Sequence, residues 1–227
     1  MEARSVEEIP TGEEWQYEPK WDGFRCLAFR DGDKIFLQSK NGQPLARYFP
    51  DVVENLAKLP QQQFVLDGEL VIPIGGALSF DELQLRLHPA ASRVQKLAAT
   101  HPAVYILFDL LAEARESYLK LNLRERRRLL EKFARSNLRS AKNIRLSPAT
   151  TDYHVANNWF RKTGRDLDGI IAKREAAKPI PFRFILPAVA GRNFFDRPCF
   201  HRRYGRFQRH PKITFAARTL VDAKTIA

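Results

Sequence analysis

Between residues 15 and about 71 the chain is a succession of strand-length runs, CLAFR, KIFLQS and FVLDGELVI, separated by the turn signals Asp31-Gly32-Asp33 and Asn41-Gly42. Asp-Gly and Asn-Gly tolerate the positive φ angles of tight hairpin turns, and hairpins join antiparallel strands. The stretch therefore predicts an antiparallel meander and excludes an all-helical fold. Helical signals are set among these strands. Pro50-Asp51 opens DVVENLAKL, whose Val52, Val53, Leu56 and Leu59 recur at helical spacing until Pro60. Ser79 and Glu82 form an S-x-x-E capping signature for a second helical segment, which Pro89 ends. AVYILFDLL, residues 103 to 111, has the length of a buried strand. Asn122 caps a further helix, LNLRERRRLLEKFARSN, in which Leu123, Arg126, Leu129, Leu130 and Phe133 share a stripe and the charge run reads as a solvated face. Another helix is expected over residues 151 to 162, closed by Gly164, before LDGIIAKR at 167 to 174 returns to strand.

Beyond Arg174 the chain becomes rich in Pro, Arg and Phe and no period of 2 or 3.6 is sustained. The charge divides at the same place. Of the formal net charge of +12, residues 175 to 227 supply +8, from 11 Lys+Arg against 3 Asp+Glu. Such an excess points to a polyanionic partner, and most of it belongs to the tail. Cys26 and Cys199 are too few for a disulfide framework or a zinc site. No apolar run approaches the roughly 18 residues of a membrane span, and MEARSVEEIPTGEEW has neither the basic start nor the apolar stretch of a signal peptide. The expectation is a cytoplasmic, monomeric protein without a membrane partner.

Five short segments carry chemistry: EPKWDGFR (18 to 25), SKNG (39 to 42), LDGEL (66 to 70), FDLL (108 to 111) and LDGIIAKR (167 to 174). Any one is weak alone, but five in order within one domain make chance an improbable source. In order and approximate spacing they resemble the nucleotidyltransferase motifs of ATP-dependent DNA ligases. RYFPDV, HPAASRV, LRERR and LSPATTD between them are similar to the small bacterial ligases of the C type. The resemblance covers about residues 9 to 174. It implies an α+β fold of the ATP-grasp type, a covalent nucleotidyltransferase domain with antiparallel sheets packed against helices. ATP and Mg²⁺ are the implied cofactors and nicked double-stranded DNA the implied partner, in DNA repair and recombination.

The same resemblance implies roles for particular residues. Lys20 is the nucleophile that attacks the α-phosphate of ATP and becomes adenylated. It must attack as a neutral amine, and the neighbouring cations Arg25 and Lys173, with a bound Mg²⁺, would disfavour its protonated form. Trp21 and Phe24, which flank the tight Asp22-Gly23, are expected to leave it partly desolvated. Glu18 would read the adenine edge and Phe108 would stack on its face, the alternative for Phe108 being a core residue on a buried strand. Arg25 would hold ribose or the nick phosphate, and Lys40, where the family usually has arginine, a weaker version of such a contact. Glu69 and Asp168 would supply oxygens to Mg²⁺, the alternative for Asp168 being a plain turn residue beside glycine.

Strand parity sets a condition on this assembly. Lys20 and Arg25 are five apart, as are Asp168 and Lys173, so unbroken strands would point each pair to opposite faces. Gly23 and Gly169 lie inside the two pairs, where a turn or bulge resets the facing. Two family features are not seen. The tail lysines, Lys178, Lys212 and Lys224, form no Lys-x-Lys, and no OB-fold is recognisable. The missing lysines would neutralise α-phosphate charge in the transition state. FHRRYGRFQRHPK interleaves bases with aromatics as a nucleic-acid surface does. The abrupt end of the resemblance instead favours a tail that is degenerate or outside the ancestral frame, and poorly ordered. Alternative functions are an RNA ligase or capping-type nucleotidyltransferase, and a non-catalytic remnant that binds nucleic acid.

Overall fold

The computed structural model describes residues 2–6, 8–88, 90–161, 167–177 and 217–222, with the backbone alone for 2–5 and 217–222. Two sheets organise these residues. The larger contains β3 (Phe24–Asp31), β4 (Lys34–Ser39), β5 (Gln63–Val71), β8 (Val104–Glu113) and β10 (Ile144–Leu146) in the order β10-β8-β5-β3-β4, with β9 (Glu116–Ser117) paired to β8. The smaller has the order β1-β12-β11-β2, built from β1 (Glu2–Val6), β2 (Trp15–Trp21), β11 (Leu167–Arg174) and β12 (Ala217–Asp222). Most pairs are antiparallel, while β10–β8 and β1–β12 are parallel. A two-residue hairpin, β6 (Pro73–Ile74) with β7 (Ala77–Leu78), lies outside both. This is the mixed α/β arrangement with antiparallel sheets that the resemblance implied, and among the described residues no sheet closes into a barrel.

The expected single meander is divided between the sheets. The β3–β4 hairpin forms as Asp31 and Gly32 direct, Gly32 taking φ 60°. But β2 does not continue it: β2 pairs with β11, and the chain crosses to the larger sheet at Asp22-Gly23. Hairpin chemistry is local, whereas β2 finds its partner some 150 residues later. Gly23 permits the crossing by close approach. A Cβ there would stand 2.3 Å from the Leu70 carbonyl oxygen and 2.9 Å from Glu69 Cγ.

Helices cover one face of each sheet. On the larger, α1 (Pro50–Ala57), α2 (Phe80–Arg86) and α4 (Leu123–Asn137) send Val52, Leu56, Leu83, Leu130 and Phe133 into a core with Cys26, Ala28, Leu66 and Leu107. Phe24 packs into this core against Phe49 and Phe80 rather than serving to desolvate Lys20. On the smaller, α5 (Tyr153–Arg161) covers Trp15, Tyr17, Ile170 and Ala172. The helix expected over residues 151 to 162 is described from Tyr153 to Arg161, and Lys162 and Gly164 lie outside the described residues. Asn122 and Glu125 make the reciprocal capping box at α4. At α2 only Ser79 caps, because Glu82 turns to His101 instead. Helix α3 (Ala91–Thr100) was not foreseen: it has no side-chain cap and buries only Val94 and Ala98. β12 likewise forms where no period was evident, while the expected disorder of residues 178 to 216 falls outside the described residues. No helix among the described residues is long and apolar enough to cross a membrane.

Helix α4 is fastened by charge as well as apolar packing. Arg126, with a side chain 1% exposed, donates from Nε and Nη2 to both oxygens of Asp109 at 2.8 and 2.9 Å, and Asp109 also accepts from the Leu110 amide. Removing one member strands the other in a low-dielectric interior. Asp109→Ala is expected to cost about 3–5 kcal/mol in urea unfolding, whereas the apolar double replacement Asp109→Leu with Arg126→Met restores most of it. Equal losses in the two variants would show that packing, not the stranded charge, sets the cost.

Candidate active site

Alternation along the smaller sheet builds one wall of a cleft. In β2, Trp15 and Tyr17 face α5, so Gln16, Glu18 and Lys20 face the other way. On β11 the register puts Lys173 opposite Gln16, Ile171 opposite Glu18 and Gly169 opposite Lys20. Asp168 is the extra residue between Leu167 and Gly169, where the register shifts and Gly169 takes φ 145°. This bulge returns Asp168 to the side of Lys20, as the parity condition required of Gly169. The opposite wall comes from the larger sheet. Arg25 of β3 is paired directly with Glu69 of β5, and Asp67 lies two residues along the same face. Phe108, on β8, joins them.

The two walls enclose a cleft of about 250 Å³ lined by Glu18, Lys20, Arg25, Glu69, Phe108, Asp168 and Lys173 among others. Seven of the eight residues singled out in the sequence are thus brought together. Lys40 is not. It sits exposed in the turn after β4 and does not line the cleft.

Within the cleft, cations are matched to carboxylates. Lys20 Nζ is 3.2 Å from Asp168 Oδ2, with the lysine side chain 25% exposed. Lys173 pairs with Glu18 Oε2, both nearly inaccessible, and Gln16 donates to Glu18 Oε1 at 2.7 Å. Arg25 donates to both oxygens of Asp67 at 3.1 and 2.6 Å. Burial works against the Arg25 charge, but Asp67, followed by Glu69 and Asp109, outweighs it and raises the guanidinium pKa. Arg25 and Lys173, the cations expected to act on Lys20 together with Mg²⁺, are thus each paired with a carboxylate of their own. Phe108 is 8% exposed, so it is core and cleft wall at once, and Arg25 and Lys173 lie 5.4 and 5.0 Å from its centroid.

Hard oxygen donors are present for a divalent cation. Glu69 and Asp168 both line the cleft, and Mg²⁺ commonly takes one or two protein carboxylates with phosphate and water completing its octahedron. Among the described residues no group of three or more His, Cys, Asp or Glu side chains is placed to hold a metal ion by itself.

Three further residues, Asp67, Gln16 and Ser147, take part without belonging to the eight. Asp67 and Gln16 orient Arg25 and Glu18, as described. Ser147 ties the walls together. It is fully buried, its amide donates to the Leu107 carbonyl at 2.7 Å, and its hydroxyl accepts from Trp21 Nε1 at 3.0 Å. Its carbonyl accepts both terminal nitrogens of Arg127 at 2.9 Å. Ser147 therefore joins the residue after Lys20 to the residue before Phe108, through neighbours spread over the whole chain.

Comparison with known proteins places this geometry. A family model described as the ATP dependent DNA ligase domain matches residues 2–179. The chain belongs to the ATP-dependent DNA ligase family. DNA ligase C2 of Mycolicibacterium smegmatis is 47% identical over 175 residues, 76% of this chain and 48% of that protein. DNA ligase C of Mycobacterium tuberculosis is 46% identical over 176 residues, again 76% and 48%. A structure of mycobacterial DNA ligase D complexed with ATP and MES superposes with a TM-score of 0.59 at 26% identity, covering 79% of this chain and 56% of that one. This ligase domain thus spans about half the length of the curated relatives it matches.

If Ser147 sets the spacing of the walls and Lys20 is the residue that takes the nucleotide, Ser147→Ala and Trp21→Phe should each slow adenylation by about tenfold, the scale of one lost positioning hydrogen bond. Single-turnover lysyl-AMP formation measures this, with KM for ATP changed little. Because the two substitutions remove the same bond, the double variant should be no slower than either alone. Additive losses would contradict the strut.

Proposed function

We propose that this domain transfers AMP from ATP to its own Lys20, the first step in sealing a nick in duplex DNA. The observation that carries the reading is convergence: four of the five sequence segments, far apart in the chain, meet at one cleft with Lys20 on its wall. Lys20 Nζ attacks the α-phosphorus, forming a P–N bond as the bond to the bridging oxygen breaks. Pyrophosphate leaves with the bonding pair, and Asp168, 3.2 Å from the amine, is in place to take the proton. In nick sealing the AMP then passes to the DNA 5′-phosphate and is displaced by the adjacent 3′-hydroxyl.

Glu18 supports adenine as the base. Gln16 and Lys173 each donate to one of its oxygens, so both oxygens stand as hydrogen-bond acceptors. An adenine amino group can donate to such an edge, whereas the guanine carbonyl oxygen would face it acceptor to acceptor. Phe108 supplies an apolar surface beside it. Mg²⁺, held by Glu69 and Asp168 together with the phosphates, would supply neutralisation of the charge that develops on the triphosphate. Nick sealing as a whole, and DNA repair as its setting, are proposed on the strength of the ligase relatives, which extend well beyond the matched region.

Incubation with ATP labelled at the α-phosphate and Mg²⁺ should place label on the wild-type chain and none on Lys20→Ala. Labelled GTP should give little, and Glu18→Gln, which can present an amide donor, should reduce the preference for ATP over GTP by about tenfold or more. Label persisting on Lys20→Ala, or equal labelling by both nucleotides, would overturn the assignment.

A further inference from the structure

Phe108 owes its place on the cleft wall to an irregularity in β8. Along β5 and β8 the register runs Gly68 opposite Leu107 and then Asp67 opposite Asp109, so Phe108 is the extra residue of a bulge. The core side shows the same reset. Tyr105 and Leu107 belong to the helix-covered core, and an unbroken strand would send Asp109 after them, yet Leu110 is the next core residue. A bulge is one residue of slack, and it keeps its place where the chain is fixed on both sides of it. Before Phe108 the fixing is steric. A Cβ at Gly68 would stand 2.5 Å from the Ile106 carbonyl oxygen and 2.7 Å from the Tyr105 ring, whose hydroxyl donates to the Cys26 carbonyl at 2.8 Å. After Phe108 the fixing is ionic. Asp109 accepts from the Leu110 amide at 2.9 Å and from Arg126 at 2.8 and 2.9 Å, while Arg126 Nη1 donates to the Leu121 carbonyl at 2.8 Å.

We propose that Arg126, which does not line the cleft, is a positioning residue for nucleotide binding: by clamping Asp109 it holds the bulge that turns Phe108 toward the base. Stability alone does not account for the pair. Arg126 is buried on the core stripe of α4 with Leu123, Leu130 and Phe133, where apolar replacement of both partners is expected to preserve most of the stability. Fixing a register is the best-attested use of a buried polar pair, and the register at stake here is the one-residue offset at Phe108. A displaced ring would also leave its neighbours, because Arg25 and Lys173 lie 5.4 and 5.0 Å from its centroid. The inference deepens the proposed adenylation and rests on it. Arg126 acts on the base through Phe108 and takes no part in the chemistry at phosphorus.

The test uses the full chain and follows single-turnover adenylation over a range of ATP concentrations. Asp109→Leu with Arg126→Met removes the clamp without stranding a charge, and urea unfolding checks that this variant is folded. The ATP concentration giving half the maximal rate should rise by about tenfold, the scale of lost base–aromatic stacking, while the maximal rate falls far less. Arg126→Lys keeps the charge but cannot span both oxygens of Asp109, so it should give a smaller shift in the same direction, and it carries the test if the double variant does not fold. Tripolyphosphate, which has no base, should inhibit the wild type and the clamp variants equally. Phe108→Ala should raise the half-saturating concentration to a similar degree, and removing the clamp in that background should add little. An unchanged half-saturating concentration in a folded clamp variant, equal weakening of ATP and tripolyphosphate, or losses additive with Phe108→Ala would overturn the proposal and leave adenylation standing. A wild-type chain that takes no label on Lys20 would instead overturn the function beneath it.

Discussion

The architecture turns on the crossing at Asp22-Gly23. Within two residues the chain leaves the smaller sheet and enters the larger, and only a residue without a side chain can pass so close to the Leu70 carbonyl. That corner puts Lys20 on one wall and Arg25 on the other while keeping them five residues apart. Everything else in the cleft is placed relative to it. β11 completes the Lys20 wall through its register with β2, and β5 and β8 complete the Arg25 wall.

Charge pairing is the second organising principle. Each of the three cations in the cleft has its own carboxylate: Lys20 with Asp168, Arg25 with Asp67, Lys173 with Glu18. Buried charges left single are costly, so the pairs keep these side chains ordered. The same pairing bears on the reaction. The carboxylate that Lys20 meets, Asp168 at 3.2 Å, is also the group placed to accept a proton from its amine. The bulge at Asp168 makes this contact a local one, held by a single irregularity rather than by the regular ladder.

What was legible in the sequence was the chemistry and its near neighbours. EPKWDGFR, LDGEL, FDLL and LDGIIAKR named seven residues that share the cleft, and Gly169 was correctly suspected of resetting the facing of its strand. The β3–β4 hairpin and the α4 capping box were legible because their causes are local: a turn residue with positive φ, and an Asn with a Glu three residues on. Long-range pairing was not. Nothing within β2 announces that its partner is β11, so one meander was expected where two sheets exist. Ser147, Asp67 and Gln16 stayed hidden for a related reason. Each acts by a hydrogen bond to a residue already identified, and a serine, an aspartate or a glutamine gives no periodic signal. Lys40 shows the opposite error, a motif position whose side chain stands outside the cleft. α3 was missed because it buries too little to create a stripe.

The central claim is that the amine at position 20, and no other, takes the nucleotide. Its most direct measurement is peptide mapping by mass spectrometry after incubation of the full chain with ATP and Mg²⁺, followed by acid and alkali treatment of the adduct. The account predicts one AMP per chain, on the peptide bearing Lys20, in an acid-labile and alkali-stable P–N linkage. AMP on Lys173 or Lys40, or an ester linkage stable to acid, would contradict it.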